Sequence, residues 1–149
     1  MTKNILRAAV AGGGSWGTAL AHVLACAGHE VTIVLREEAV ARAINETHEN
    51  PRYLSGRALH ENVRASTASD VLSDSELLVL AVPCQHQRQW LKDFGGRLRP
   101  DCVIVNASKG LESDSCLTMS EVARQELGEE VMARYAVLSG PSFAAEVMD

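Results

Sequence analysis

The chain has 149 residues, of which 46% are hydrophobic and 22% charged, with a formal net charge of −5. That length supports one domain with a full core, and the acidic balance excludes a general field for nucleic acid. The longest apolar helix candidate, Trp16 to Ala27, carries His22 and is well short of the roughly 20 residues that cross a bilayer, so neither a membrane span nor a nucleic-acid partner is expected.

Met1 to Arg7 shows no signal-peptide pattern. Ala8 to Ala11 reads as the end of a short apolar strand, followed by a glycine cluster in which Gly12, Gly14 and Gly17 complete a GxGxxG spacing. In a strand-turn-helix unit each glycine has its own task. Gly12 permits the tight turn, Gly14 lets backbone approach a pyrophosphate, and Gly17 removes a side chain that would hold the helix off the sheet. Thr18 to Ala27 predicts an alanine-rich helix closed by Gly28, and Glu30 to Leu35 a second, β-branched strand. The resulting βαβ unit is what a dinucleotide fingerprint requires, and the free N–H groups at its helix start suit a phosphate.

Glu37 to Asn45 has helical spacing with Ala39, Val40, Ala43 and Ile44 apolar. Glu46 to His60 has no period, contains Asn50-Pro51 and Ser55-Gly56, and reads as a long loop of the kind that carries function. Val63 to Ser66 is a short strand and Ala68 to Ser73 a short helix, and Leu77 to Val82 is a continuous apolar run ended by Pro83. A helix is predicted over His86 to Leu98, with Trp90, Leu91 and Phe94 inward and a break at Gly95-Gly96. Cys102 to Asn106 is the next strand, Leu117 to Leu127 a helix with Leu117, Val122 and Leu127 inward, and Tyr135 to Leu138 the last strand.

This alternation predicts an α/β fold of Rossmann type: a doubly wound, mostly parallel sheet with helices on both faces and strand order 3-2-1-4-5-6. Ligands in such sheets lie beyond the carboxyl ends of the strands, which directs attention to Gly12 to Gly17, Arg36 to Glu38, Pro83 to Gln85, Ala107 to Glu112 and Ser139 to Glu146. Cys26, Cys84, Cys102 and Cys116 have no CxxC spacing, and three of them fall in or beside predicted buried elements, so reduced structural thiols in a cytoplasmic setting are expected. The five histidines show no HxH or HxxxH pair, and no metal site is expected.

Five of these stretches together resemble the N-terminal domain of the bacterial and archaeal type of NAD(P)-dependent glycerol-3-phosphate dehydrogenase. They are GGGSWGTALA (Gly12 to Ala21), ENPRYLSG (Glu49 to Gly56), VPCQ (Val82 to Gln85), NASKGLE (Asn106 to Glu112) and LSGPSFAAEV (Leu138 to Val147), spread over almost the whole chain. The resemblance implies that Ser15 and Trp16 lie near the cofactor phosphates, that Tyr53 sits on a loop reaching towards the cofactor, and that Lys109 approaches both nicotinamide and substrate. It also implies that Gly140 and Ser142 touch glycerol 3-phosphate and that Ala144 touches the cofactor. Considered without the family, Trp16 reads equally as a core aromatic, Lys109 as a solvated charge, and Ser142 as a cap for a helix Phe143 to Val147. Ser55 stands where the family commonly has proline, and Cys84 where Ser or Thr is usual.

The implied activity is hydride transfer between NAD(P)H and dihydroxyacetone phosphate, giving sn-glycerol 3-phosphate for glycerophospholipid synthesis. NADP is favoured over NAD, because Arg36 follows the second strand where a 2′-phosphate is recognised, although Glu37 and Glu38 come next and suit a ribose hydroxyl. The family's proton-transferring lysine belongs to a helical C-terminal domain, so no catalytic residue is expected within residues 1–149. A chain ending at Asp149 would expose the apolar surface which that domain covers, favouring a homodimer. Two rivals share the glycine turn: another dehydrogenase of the superfamily, which should lack SKGLE and GPSFAAEV, and a nucleotide-sensing module without catalysis.

Overall fold

The computed structural model describes residues 4–149, so the reading of Met1 to Arg7 lies partly outside the described residues. In chain order the elements are β1 (Arg7–Ala11), α1 (Ser15–Cys26), β2 (Glu30–Val34), α2 (Glu38–Thr47), β3 (Val63–Ser66), α3 (Val71–Asp74), β4 (Leu77–Leu80), α4 (Cys84–Phe94), β5 (Val103–Asn106), α5 (Met119–Leu127), β6 (Tyr135–Val137) and α6 (Ala144–Met148). The strands form one parallel sheet in the order β3-β2-β1-β4-β5-β6, as the alternation predicts. Strand order reverses between β1 and β4, and at that point the connections leave in opposite directions and open a crevice above the strand ends.

The alternating direction of side chains along β1 divides the core. Ala8 and Val10 face a cluster with Leu20, Ala21, Ile33 and Ile44 under α1 and α2, while Ala9 and Ala11 face one with Leu72, Leu91, Ile104 and Val122 under α3, α4 and α5. Because β1 is covered on both faces from Ala8 on, its residues there are small and apolar, and α1 can approach closely. Burial of a Val or Ile side chain contributes about 1.5 to 3 kcal/mol, so the central strands hold the strand ends in a fixed register.

Several expected boundaries move for local reasons. The helix read from His86 begins at Cys84, because Pro83 takes the extended N-cap conformation and needs no N–H there. Its buried residues are Gln87 and Leu91; Trp90 and Phe94 are half-buried and pack on each other at 5.2 Å between ring centroids. The helix read from Leu117 begins at Met119, where Thr118 and Glu121 form a reciprocal capping box, leaving Leu117 half-buried before the cap. Residues Glu129–Arg134 form a 3-10 helix that no sequence period announces.

All four cysteines are free thiols, but the expectation that they are structural, buried residues needs correction. Only Cys102 is buried; Cys84 is half-buried, and Cys26 and Cys116 are exposed because they fall on the last turn of α1 and in the loop before α5. Burial pushes the Cys102 thiol up to about 11, which marks it as an inert packing residue. Among the described residues no helix is long and apolar enough to cross a membrane, and no group of three His, Cys, Asp or Glu side chains is arranged to hold a metal.

Candidate functional site

The glycine turn forms at the crevice because its residues leave no room for alternatives. Gly12 has φ +106°, and a Cβ on it would lie 2.8 Å from the Ala81 carbonyl oxygen at the end of β4. Gly17 starts α1 so close to the turn that a Cβ would lie 2.0 Å from the Gly12 carbonyl oxygen. Gly17 therefore brings the helix down onto the turn itself as much as onto the sheet, its Cβ position being also 3.3 Å from the Ala81 side chain.

Gly14 differs. It has the ordinary extended angles φ −75° and ψ −178°, and a Cβ there would meet nothing within 4 Å. The protein's own packing thus gives no reason for glycine at this position, whereas a ligand resting on the backbone does. The first bond of α1 runs from the Thr18 N–H to the Gly14 carbonyl at 2.9 Å, so the N–H groups of Ser15, Trp16 and Gly17 have no acceptor within the helix. An anion at this end gains those donors and the helix dipole, roughly 0.3 to 1 kcal/mol for the dipole alone. The residues present fit a pyrophosphate.

Trp16 serves as wall and as anchor. Its ring packs against the core, and its Nε1–H donates to the Ala107 carbonyl at 3.1 Å, which joins the start of α1 to the segment after β5. From that segment Lys109 extends its ammonium to the Gly140 carbonyl at 2.9 Å, with Nζ 5.6 Å from the centroid of the Trp16 ring. The three residues come from α1, the end of β5 and the end of β6, 31 to 124 positions apart in the chain. A cleft of about 340 Å³ lies beside them, with Trp16 and Leu20 on one side and Leu138 to Ser142 and Val147 on the other. Ser142 lines it, and Ala144 opens α6 two residues later.

The segment bearing Lys109 is clamped from below. Arg88 donates two bonds to the Glu112 carboxylate, at 2.8 and 2.7 Å, and a third to Glu126 on α5. Gln85 donates to the Leu111 carbonyl at 2.9 Å and accepts from the Ser113 N–H at 2.9 Å. Arg88, together with the Ser115 hydroxyl, holds the Glu112 carboxyl well below the usual range, at about 2. The Ser108 hydroxyl donates to the Val82 carbonyl at 2.6 Å, tying the same segment to β4's end. Cys84, the departure from the expected Ser or Thr, lies with its Sγ 3.1 Å from where a Gly110 Cβ would be, so it packs under the loop at a positive-φ glycine.

Arg36, Glu37 and Glu38 follow β2 on the other side of the turn, beside Leu35, whose side chain fills the space a Gly13 Cβ would take. Among the described residues Arg36 is exposed and has no hydrogen-bond or ion-pair partner. Glu37 is paired with Arg52, and Glu38 accepts from the Thr67 hydroxyl at 2.8 Å. Arg36 is thereby the available charge at this strand end.

Asn50 is the residue that sequence reasoning missed. It is 1% exposed, its Nδ2 donates to the Gly13 carbonyl at 3.0 Å and to the Thr18 hydroxyl at 2.9 Å, and its Oδ1 accepts from the N–H groups of Arg52 and Tyr53 at 3.1 and 3.2 Å. One side chain thus fixes the long loop onto the glycine turn and places Tyr53, itself 41% exposed, at the rim. The Asn-Pro pair announced a turn; the signal for more was an Asn whose oxygen can accept from N–H groups two and three residues ahead. Arg57, later in the same loop, donates to the Ala145 carbonyl at 3.1 Å and pairs with Asp149, joining the loop to α6.

Comparison with known proteins agrees with this geometry. Residues 7–149 match the family described as NAD-dependent glycerol-3-phosphate dehydrogenase N-terminus. A glycerol-3-phosphate dehydrogenase (NAD(P)+) of Desulfovibrio desulfuricans is 55% identical over 139 residues, covering 93% of this chain and 41% of that protein. One from Nitratidesulfovibrio vulgaris is 49% identical over 144 residues, 96% of this chain and 43% of its own length. The crystal structure of glycerol-3-phosphate dehydrogenase from Coxiella burnetii superposes with a TM-score of 0.85 at 29% identity, covering 97% of this chain and 43% of that one. The chain therefore spans about two fifths of the length of the relatives it matches, and it belongs to the family of N-terminal, dinucleotide-binding domains of glycerol-3-phosphate dehydrogenase.

Proposed function

We propose that this chain forms the cofactor half of an enzyme that interconverts dihydroxyacetone phosphate and sn-glycerol 3-phosphate with NAD(P)H. The observation that carries the reading is the meeting of Lys109, Trp16 and Gly140 beside the cleft, next to a glycine turn whose Gly14 is open to a ligand. Bound NAD(P)H supplies the hydride. The chain supplies position and charge. The N–H groups of Ser15, Trp16 and Gly17 hold the pyrophosphate, the Trp16 ring walls the crevice, and Tyr53 and Ala144 border the cofactor from the two sides.

Lys109 turns from the Gly140 carbonyl towards substrate. A single ammonium about 4 Å from a phosphate charge contributes on the order of 4 kcal/mol at an effective dielectric near 20, before desolvation is subtracted. Gly140 and Ser142 then take the substrate's polar groups, and proton transfer falls to a lysine beyond these residues. NADPH is favoured over NADH, supported by an unpaired Arg36 at the β2 end beside acids that already have partners.

The test is NADPH oxidation with dihydroxyacetone phosphate by the full-length protein, beside its Lys109→Met variant and residues 1–149 alone. Turnover by the parent and a loss of at least about hundredfold in kcat/KM for the variant, roughly 2.7 kcal/mol of barrier, are expected. Residues 1–149 alone should not turn over. A parent inactive on this substrate, or a variant equal to it, overturns the reading.

A further inference from the structure

A second arginine, Arg52, stands beside Arg36 at the end of β2 through its ion pair with Glu37. Glu37 lies 20 residues after Gly17, the distance at which an acid at the second strand's end accepts bonds from a ribose 2′-hydroxyl. It is also the N-cap residue of α2, but its side chain makes no capping bond, so the carboxylate is not committed to the helix. Instead Arg52 reaches across from the 49–56 loop and places one Nη on both carboxylate oxygens. Arg52 is in turn fixed where it starts, since its backbone N–H donates to Asn50, and Asn50 donates to Gly13 in the glycine turn. A continuous connection, Gly13 to Asn50 to Arg52 to Glu37, therefore links the phosphate turn to the end of β2.

We infer that Arg52 is a specificity-determining residue that sets the preference for a 2′-phosphorylated dinucleotide. This rests on the proposed reading of the glycine turn as the dinucleotide site. With Arg52 in place the Glu37 charge is neutralised, so it neither repels a 2′-phosphate nor serves as a free acceptor for a 2′-hydroxyl. Both side chains are about half exposed, at 53% and 56%, and one Nη of Arg52 carries the pair with Glu37, so its other N–H donors can take a 2′-phosphate while Glu37 stays neutralised. The phosphate then lies between Arg36 and Arg52, two cations on separate segments, both able to offer paired N–H donors. A dinucleotide lacking the phosphate leaves the Arg52–Glu37 pair intact and gains nothing from either arginine.

The experiment is calorimetric titration of NADPH and of NADH into the full-length protein, its Arg52→Ala variant and its Glu37→Gln variant. Arg52→Ala should weaken NADPH by about tenfold while NADH binds as before or more tightly, because one charge-assisted contact is lost and a carboxylate is released. Glu37→Gln should tighten NADPH severalfold, because Arg52 is freed and a negative charge is removed beside the phosphate, and should leave NADH as it was. An unchanged NADPH-to-NADH ratio in Arg52→Ala, or equal losses of both cofactors, overturns the inference while leaving the site standing. Equal losses would mean that Arg52 only supports the loop. Failure of the unmodified protein to bind either cofactor overturns the site and the inference together.

Discussion

The two sides of the crevice are built on different terms. At the glycine turn Gly12 and Gly17 are dictated by the protein's own backbone, since a Cβ would lie 2.8 and 2.0 Å from a carbonyl oxygen; at Gly13 it would meet the flexible Leu35 side chain at 2.9 Å, and at Gly14 nothing. At the opposite side, the segment after β6 is open. A Cβ on Gly140 meets nothing within 4 Å, and Phe143 is 70% exposed. Packing thus explains the first region almost completely and the second hardly at all. Where packing is silent, the residue type answers to backbone conformation, as at Gly140 with φ +155°, or to a ligand, as at Gly14.

The comparison is broken most severely at Gly17. Gly17→Ala places a methyl against the Gly12 carbonyl, so either the turn or α1 must move, and stability should fall by about 3 kcal/mol or more in urea denaturation. A loss under about 1 kcal/mol would mean that the turn gives way easily and that its close packing does not define it.

Next comes Asn50. Asn50→Ala leaves the Gly13 carbonyl and two loop N–H groups without their partner, and should cost about 1 to 3 kcal/mol in the same measurement. NADPH binding should weaken as well, because Tyr53 and Arg52 lose their anchor. Unchanged affinity would show that the loop stands apart from the cofactor.

Gly14 sharpens the contrast from the other direction. Gly14→Val should fold with a loss of about 1 kcal/mol or less, since its angles suit a β-branched residue and its surroundings are open. NADPH affinity should nevertheless fall at least about tenfold by calorimetry. A Gly14→Val protein that binds as the parent does would place the pyrophosphate elsewhere.

The sequence carried the sheet order and the strand-end loops because both depend on local signals: apolar runs covered on two faces, glycines at forced angles, and Pro83 closing β4. It also brought Lys109 and Gly140 under suspicion, through the family motifs. What it could not carry is how side chains join distant segments. Asn50 and Gly13 are 37 positions apart, Trp16 and Ala107 91, and nothing in either local pattern requires the meeting. The boundary of α5 is a different case: Thr118-x-x-Glu121 is a legible capping box that the apolar spacing of Leu117 to Leu127 obscured. Cys26 is exposed for a similar reason, since an apolar neighbourhood in sequence does not state which face of a helix a residue occupies.

The smallest effect concerns the clamp beneath Lys109. Glu112 has a folded-state pKa of about 2 against an ordinary value of 4.5, chiefly because Arg88 donates to it and secondarily because Ser115 does. A carboxyl with a depressed pKa contributes stability that is fully present above its unfolded pKa and is lost as pH falls through its folded one. The loss therefore runs from pH 4.5 down to about 2, where the unfolded chain binds a proton that the folded chain refuses. Asp101, paired with Arg99, and Glu121, bonded to Thr118, are shifted in the same direction, so the slope of the parent protein in this range contains all three. Stability measured against pH for the parent and for Glu112→Gln isolates one of them: the variant should be less stable at neutral pH, and the gap should close as pH falls through that window. If the two curves stay parallel to the lowest pH, the Arg88–Glu112 contact is not the source of the shift. The position of Lys109 would then depend on Gln85 and Ser108 alone, whose bonds do not titrate.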